Sequence, residues 1–189
     1  MKILITRHGQ TYWNALGKLQ GQTDIELNNI GRQQAEETGK KKKKKKIDLI
    51  ITSPLKRAKE TAEIINKNFN VTIIEDARLM ERKFGKCEGL TKAERAKLKE
   101  DNPQIKDLWN YNQEIDLYNI EKMPDFCNRI YEFLDSITKK YKDKNILLVS
   151  HGGASVPIKC YFTKYPLKNL IHRDDVKGLK NCEVIKYEI

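Results

Sequence analysis

Short apolar runs alternate along this chain with longer stretches in which apolar residues recur every three or four positions. The runs Lys2 to Thr6, Ile47 to Thr52, Val71 to Ile74 and Asn145 to Ser150 are bounded by polar or turn residues and predict four strands. Cys182 to Ile189 alternates as an edge strand does. Asn28 to Lys45 predicts a helix whose Asn28 caps the free N–H groups of its first turn. The second strand runs into Ser53-Pro54, which predicts Ser53 as an N-cap and Pro54 as the first residue of a helix reaching about Ile65. Thr91-Lys92-Ala93-Glu94 has capping-box spacing and starts another helix. Phe126, Ile130, Phe133, Leu134, Ile137 and Tyr141 keep helical spacing and predict a long amphipathic helix before the fourth strand. Such alternation predicts an α/β fold with a mostly parallel central sheet. Lys99 to Glu121 carries Trp109, Tyr111 and Tyr118 without a clear period and reads as an irregular, lid-like insertion.

At 189 residues the chain fits one domain, 1–189, large enough to bury a core. Its 39% hydrophobic and 33% charged residues suit a soluble globular protein, and no apolar run approaches the ~18 residues that would span a bilayer. The first apolar stretch is too short for a signal-peptide core and leads into Arg7-His8-Gly9, so secretion is not expected. Cys87, Cys127, Cys160 and Cys182 are scattered without Cys-x-x-Cys spacing, which argues against a zinc site or a disulfide framework and predicts reduced thiols in a cytoplasm. The net charge of +11 hints at a polyanion partner, but Lys40 to Lys46 supply seven of those charges and leave +4 elsewhere. That run ends a predicted helix, where cations complement the exposed carbonyls. No aromatic residues are interleaved for base stacking, so neither nucleic acid nor membrane is expected as a partner.

In open α/β sheets ligands collect beyond the carboxyl ends of the strands. Those ends carry a consistent set of polar groups here. Strand one leads to Arg7-His8-Gly9, strand two to Ser53-Pro54 with Arg57 on the first turn of its helix, and strand four to His151-Gly152-Gly153. The irregular stretch after strand three, Arg78 to Gly89, carries Glu81. His172 lies in the tail and reads as a surface residue.

Two histidines and a carboxylate could hold zinc, but Arg7 and Arg57 would repel it, so no metal and no cofactor is expected. Arginines at helix starts instead fit a tetrahedral anion, to which their planar forks and the free helix N–H groups are complementary. A neutral imidazole there could attack phosphorus directly, which makes His8 a candidate nucleophile if its other nitrogen is fixed as a donor. Glu81 is then the candidate acid for the departing alkoxide. Each residue alone has a plainer reading: a structural histidine, a helix-surface arginine, a loop carboxylate. Their joint arrival at one sheet edge favours the catalytic one.

The stretches "TRHGQTYWN", "LQGQTDIELNNIGRQQA", "SPLKRAKETA", "RLMERKFGKCEG" and "LLVSHGG" resemble, in order and spacing, the motif series of the histidine phosphatase superfamily, the phosphoglycerate mutase-like proteins. The resemblance implies a three-layer α/β/α sandwich and a metal-independent phosphohistidine mechanism. It implies that His8 is phosphorylated, that Arg7, Arg57 and His151 surround the phosphoryl group with Gly152 beside it, and that Glu81 donates the proton. Asn14, Gln20 and Gly21 match positions lining the substrate mouth. Within the family, "ERKFGKCEGLT" is closer to the phosphatase branch than to the "ERHYG" form of mutases. The stretch Lys99 to Glu121 offers only Lys99 and Lys106 as cations for a second phosphate or carboxylate. The expectation is a phosphatase of a small phosphorylated metabolite, releasing phosphate, with a mutase-type phosphotransferase as the alternative. A non-catalytic anion-binding regulatory protein is the third reading, disfavoured because His8 and Glu81 are both present.

Overall fold

The computed structural model describes residues 1–102, 108–113, 118–172 and 174–189. Five strands, β1 (Lys2–Arg7), β2 (Leu49–Thr52), β3 (Ile73–Glu75), β4 (Asn145–Ser150) and β5 (Val184–Glu188), form one sheet in the order β3-β2-β4-β1-β5. Four run parallel, and β5 closes the edge antiparallel to β1. The alternating tail is therefore the edge strand its pattern predicts, while β3 starts two residues later than expected.

Alternation along the buried strands decides the layers. Ile3, Ile5, Leu49, Ile51, Ile146 and Leu148 face α5 (Met123–Lys140) and α6 (Ser155–Thr163), whose Phe126, Ile130, Phe133, Leu134 and Ile158 complete that core. Leu4, Ile50, Leu147 and Val149 face the other way, onto Ala35 of α2 (Asn29–Lys42) and Ala58, Ala62 and Ile65 of α3 (Lys56–Asn66). The result is the three-layer sandwich. Each inward leucine or isoleucine contributes about 1.5–3 kcal/mol of burial. Two further helices, α1 (Tyr12–Ala15) and α4 (Lys92–Asp101), lie outside these layers, and α4 opens with the predicted capping box of Thr91 and Glu94. Asn28 caps α2 as expected, its Oδ1 accepting from Gly31 N at 2.8 Å. Among the described residues no helix is long and apolar enough to cross a membrane.

One capping expectation is corrected. α3 begins at Lys56, not Pro54, and Asp24 Oδ1 takes the N–H of Lys56 at 2.8 Å. Ser53 Oγ accepts from Leu55 N at 3.3 Å and also meets a histidine ring nitrogen. Of the lid predicted over 99–121, Lys99 to Asp101 end α4 and residues 108–113 and 118–121 form turns; 103–107 and 114–117, including Lys106, lie outside the described residues.

The loop after β1 packs directly on the first turn of α2. A methyl group on Gly9 would fall 2.3 Å from the carbonyl oxygen of Gly31, so only glycine allows this approach. Gly9 N donates to Thr61 Oγ1 of α3 at 3.0 Å, which fixes the loop carrying His8 against both helices.

Candidate active site

The carboxyl ends of β1, β2 and β4 open into a cavity of about 680 Å³. His8 lines it, 2% exposed, directly after β1. Its Nδ1 lies 2.7 Å from the carbonyl oxygen of Gly9, and a carbonyl can only accept, so Nδ1 carries the ring proton and Nε2 keeps its lone pair. Burial holds the His8 pKa well below the ordinary histidine value, with the nearby Arg57 and Arg7 cations adding to the effect. The imidazole is neutral at pH 7.

Arg57 is fully buried on the first turn of α3, and its Nη1 and Nη2 donate to the carbonyls of Thr23 and Gly21 at 2.8 and 2.6 Å. Burial pushes this guanidinium down to about 10, with the Glu81 and Asp24 carboxylates pulling the other way, so it stays charged. Its Nε is buried with no hydrogen-bond partner among the described residues. Arg7 leaves the end of β1 and donates from Nη1 to the Leu179 carbonyl at 3.2 Å, its guanidinium lying against the backbone of Gly152.

His151 follows β4 and is fully buried, with its ring 5.3 Å from that of His8. Its Nε2 meets Ser53 Oγ at 2.8 Å. Ser53 Oγ also accepts from Leu55 N, and a hydroxyl that donates to Nε2 leaves the ring proton on Nδ1. That Nδ1 is buried without a partner among the described residues. Burial, then Arg57, keeps His151 well below the ordinary histidine pKa.

Glu81 reaches the cavity from the stretch after β3. Its Oε1 accepts from Arg82 N at 2.9 Å and its Oε2 from Gly153 N at 2.8 Å, which aims the carboxyl across the cavity floor toward the loop after β4.

Asn14 and Gln20 also line the cavity and are held by one threonine. Thr11 N donates to Asn14 Oδ1 at 3.1 Å, and Thr11 Oγ1 donates to Gln20 Oε1 at 2.9 Å. Gly21 and Gly152 line it through backbone. Eight of the nine residues singled out in the sequence thus line one cavity, and the ninth, His151, packs against His8.

Several contributors went unnoticed in the sequence. Glu88 accepts from the N–H groups of Gln22 and Thr23 at 3.1 and 2.9 Å and from Phe84 N at 2.8 Å, fastening the loop that holds Arg57. Asn181 Nδ2 donates to the carbonyl of His8 at 2.9 Å. The charge inventory of the mouth is also corrected. Lys92, Arg95 and Lys99 stand at i, i+3 and i+7 on α4 and face the cavity, and Lys18 joins them. A cation count limited to 99–121 misses three of these four. His172, expected on the surface, is exposed and lines the mouth beside Asp174. Among the described residues no three His, Cys, Asp or Glu side chains are grouped to hold a metal ion.

Fold and cavity together define an α/β protein whose neutral, buried histidine shares one cavity with two arginines and a carboxyl group. The chain belongs to the histidine phosphatase superfamily (branch 1), whose family model matches residues 3–189. It is 40% identical to the uncharacterized phosphatase PhoE of Bacillus subtilis, over 80% of this chain and 72% of that protein. It is 36% identical to phosphoglycerate mutase-like protein 4 of Arabidopsis thaliana, over 80% of this chain and 66% of that one. Among solved structures, YhfR of Bacillus stearothermophilus superposes with a TM-score of 0.87 at 28% identity, covering 100% of this chain and 91% of the other.

Proposed function

We propose that this protein is a metal-independent phosphatase that hydrolyses a small phosphate monoester through a phosphohistidine on His8. The observation that carries the reading is the His8 ring itself: neutral, oriented through Nδ1–H to Gly9, and set beside two arginines and a carboxyl group in one cavity. His8 Nε2 attacks phosphorus as the P–O bond to the leaving group breaks. Arg7, Arg57 and His151 Nδ1–H meet the phosphoryl oxygens, an arrangement that stabilises charge where it develops. Glu81 gives its proton to the departing alkoxide and, as the carboxylate, takes one from the water that cleaves the P–N bond. Phosphate leaves and His8 is restored. Asn14, Gln20, Gly21 and Gly152 border the same anion.

We take the chain as one domain with 99–121 as its lid, working in the cytoplasm, where its four free thiols stay reduced. The α4 cations favour a substrate with a second anionic group. They also keep a second reading open, a mutase-type phosphotransferase, because such an enzyme must hold a doubly anionic donor. The third reading, anion binding without turnover, has no specific support.

Rapid alkaline quench of the protein with a ³²P-labelled phosphate ester tests the chemistry. An acid-labile, base-stable label on His8 that is lost in His8→Ala is expected, and label on any other residue refutes it. Chasing the labelled protein with water alone or with a hydroxy acid separates the first two readings: release to water marks a phosphatase, transfer to the acceptor a mutase.

A further inference from the structure

Arg129 does not border the cavity and takes no part in the proposed chemistry. It sits on the second turn of α5, partly buried, and makes five hydrogen bonds to described residues. Nη1 donates to the carbonyls of Arg78 and Met80 at 2.7 and 2.9 Å, and Nη2 to the carbonyl of Glu81 at 3.0 Å. Nε and Nη2 also pair with the two carboxylate oxygens of Glu121 at 2.6 and 3.0 Å.

Glu121 extends the grip to the far side of Glu81. Its Oε2 accepts from Lys83 N at 3.1 Å, its N donates to the Lys83 carbonyl at 3.0 Å, and its carbonyl accepts from Arg82 Nε at 2.8 Å. Residues 78, 80, 81, 82 and 83 are thus all tied, directly or through Glu121, to one guanidinium. The segment has little repetitive structure of its own: a single 3-10 turn, Ala77–Leu79, precedes Glu81 and another, Gly85–Cys87, follows it. Side chains therefore do what a ladder does elsewhere. Only a planar, five-donor fork reaches three carbonyls and a carboxylate at once; a lysine ammonium has three donors and no fixed plane.

We infer that Arg129, paired with Glu121, is the positioning residue for Glu81, holding the backbone from which the proton donor reaches the leaving group. This rests on the phosphatase reading of the site. It sets apart two halves of the chemistry. Arg7, Arg57 and His8 stand on other elements and keep their places when the clamp is lost, so attack on phosphorus survives. Proton delivery does not, because a shift of about 1 Å in a reacting group can lower the rate ~10²-fold.

The test is the dependence of single-turnover His8 phosphorylation on leaving-group basicity, read with p-nitrophenyl, phenyl and β-glycerol phosphates. Arg129→Lys and Glu121→Gln, each confirmed folded by a thermal melt, should lose little with the nitrophenyl ester and ~10²-fold with the glycerol ester. Both should steepen the dependence as Glu81→Gln does, and Arg129→Lys added to Glu81→Gln should steepen it no further. A dependence unchanged from the native protein in both single variants, or a uniform loss on all three esters, overturns the assignment and leaves Arg129 a structural residue. Unfolding of both variants overturns it equally, since the clamp would then serve folding. Failure of the phosphatase reading is visible separately: the native protein, with Arg129 in place, would form no phosphohistidine from any of the esters.

Discussion

Gly153→Ala should uncouple catalysis from stability, and the structure says by how much. Gly153 has no positive φ, so alanine can adopt its backbone, and the N–H that donates to Glu81 Oε2 remains. The added methyl carbon, however, would lie 2.3 Å from Glu81 Oε1 and 2.6 Å from Cη2 of Trp109, where ordinary contact begins at 3.4 Å. Both neighbours are the ends of side chains. The carboxyl group must retreat by about 1 Å, a distance that in a positioned reacting group is worth ~10²-fold in rate, or about 2.7 kcal/mol of barrier. Global stability should fall by no more than the ~1–3 kcal/mol of a mild overpacking, because Glu81 and the Trp109 ring can yield without moving backbone. The assay is kcat/KM for an alkyl phosphate and for p-nitrophenyl phosphate, beside a urea melt. The expected pattern is a ~10²-fold loss on the alkyl ester, a loss below ~10-fold on the aryl ester, and a cooperative melt. An alkyl ester turned over at the native rate would mean that Glu81 tolerates displacement and is not the acid. Equal losses on both esters would place the damage at the phosphoryl pocket.

Folding stability should decline as the pH falls below about 6.5, because His8 and His151 are held neutral by burial while the unfolded chain takes up their protons; the sign follows from more protons bound unfolded than folded. The slope should approach 1.4 kcal/mol per pH unit for each histidine, and urea melts that coincide at pH 7 and pH 5 would contradict it. Activity should survive EDTA and be inhibited by orthovanadate, which adopts the five-coordinate geometry of phosphoryl transfer; loss of turnover with EDTA that zinc or magnesium restores would refute a metal-independent site. Replacing Lys41 to Lys45 by a Gln/Lys mixture should leave turnover of a small ester nearly unchanged, since the run lies at the far end of α2 and the pair that Lys41 makes with Glu37 at 3.1 Å is an exposed one. A tight, salt-sensitive affinity for DNA or RNA that vanishes with the lysines would give the run a partner after all.

What could be read in the sequence divides along a physical line. Arg7 ends β1 and His8, His151 and Gly152 follow strands whose apolar runs are unmistakable, and the end of a parallel strand determines where the next two or three residues stand. β4 was legible as Asn145 to Ser150, so His151 was placed with it. α5 announced itself through a stripe that one face of a helix must bury. α6 did not. Ser155, Val156, Pro157, Ile158 and Cys160 are all buried, so it shows no polar face and no period, and it follows β4 too closely to be told from more strand. α1 is four residues held by a capping box and a loop, too short for any period.

The missed contributors share a different trait: their partners are remote backbone atoms. Nothing local tells that Glu88 receives N–H groups 65 and 66 residues earlier, or that Asp24 rather than Ser53 caps α3. Arg129 left one trace. It falls between Phe126 and Phe133 in helical phase, and a charged residue at the edge of an apolar stripe must have a buried partner to offset its desolvation.

The cations of α4 make the same point for specificity. Counted along the sequence between 99 and 121, positive charge looks too sparse for a second anion; sorted by helical face, Lys92, Arg95 and Lys99 form one row above His8's cavity. Three cations on one side of a helix repel each other, and that cost falls when an anion sits among them. In the proposed reaction Arg7 and Arg57 hold the phosphoryl group, and a second anionic group on the same ligand would reach toward this row. Binding energy available at the mouth, remote from the reacting bond, is what a phosphatase can use to hold the ester in line with His8 Nε2. Discrimination among substrates should therefore follow the distance between the phosphoryl group and a second anionic group more closely than the chemistry of whatever links them.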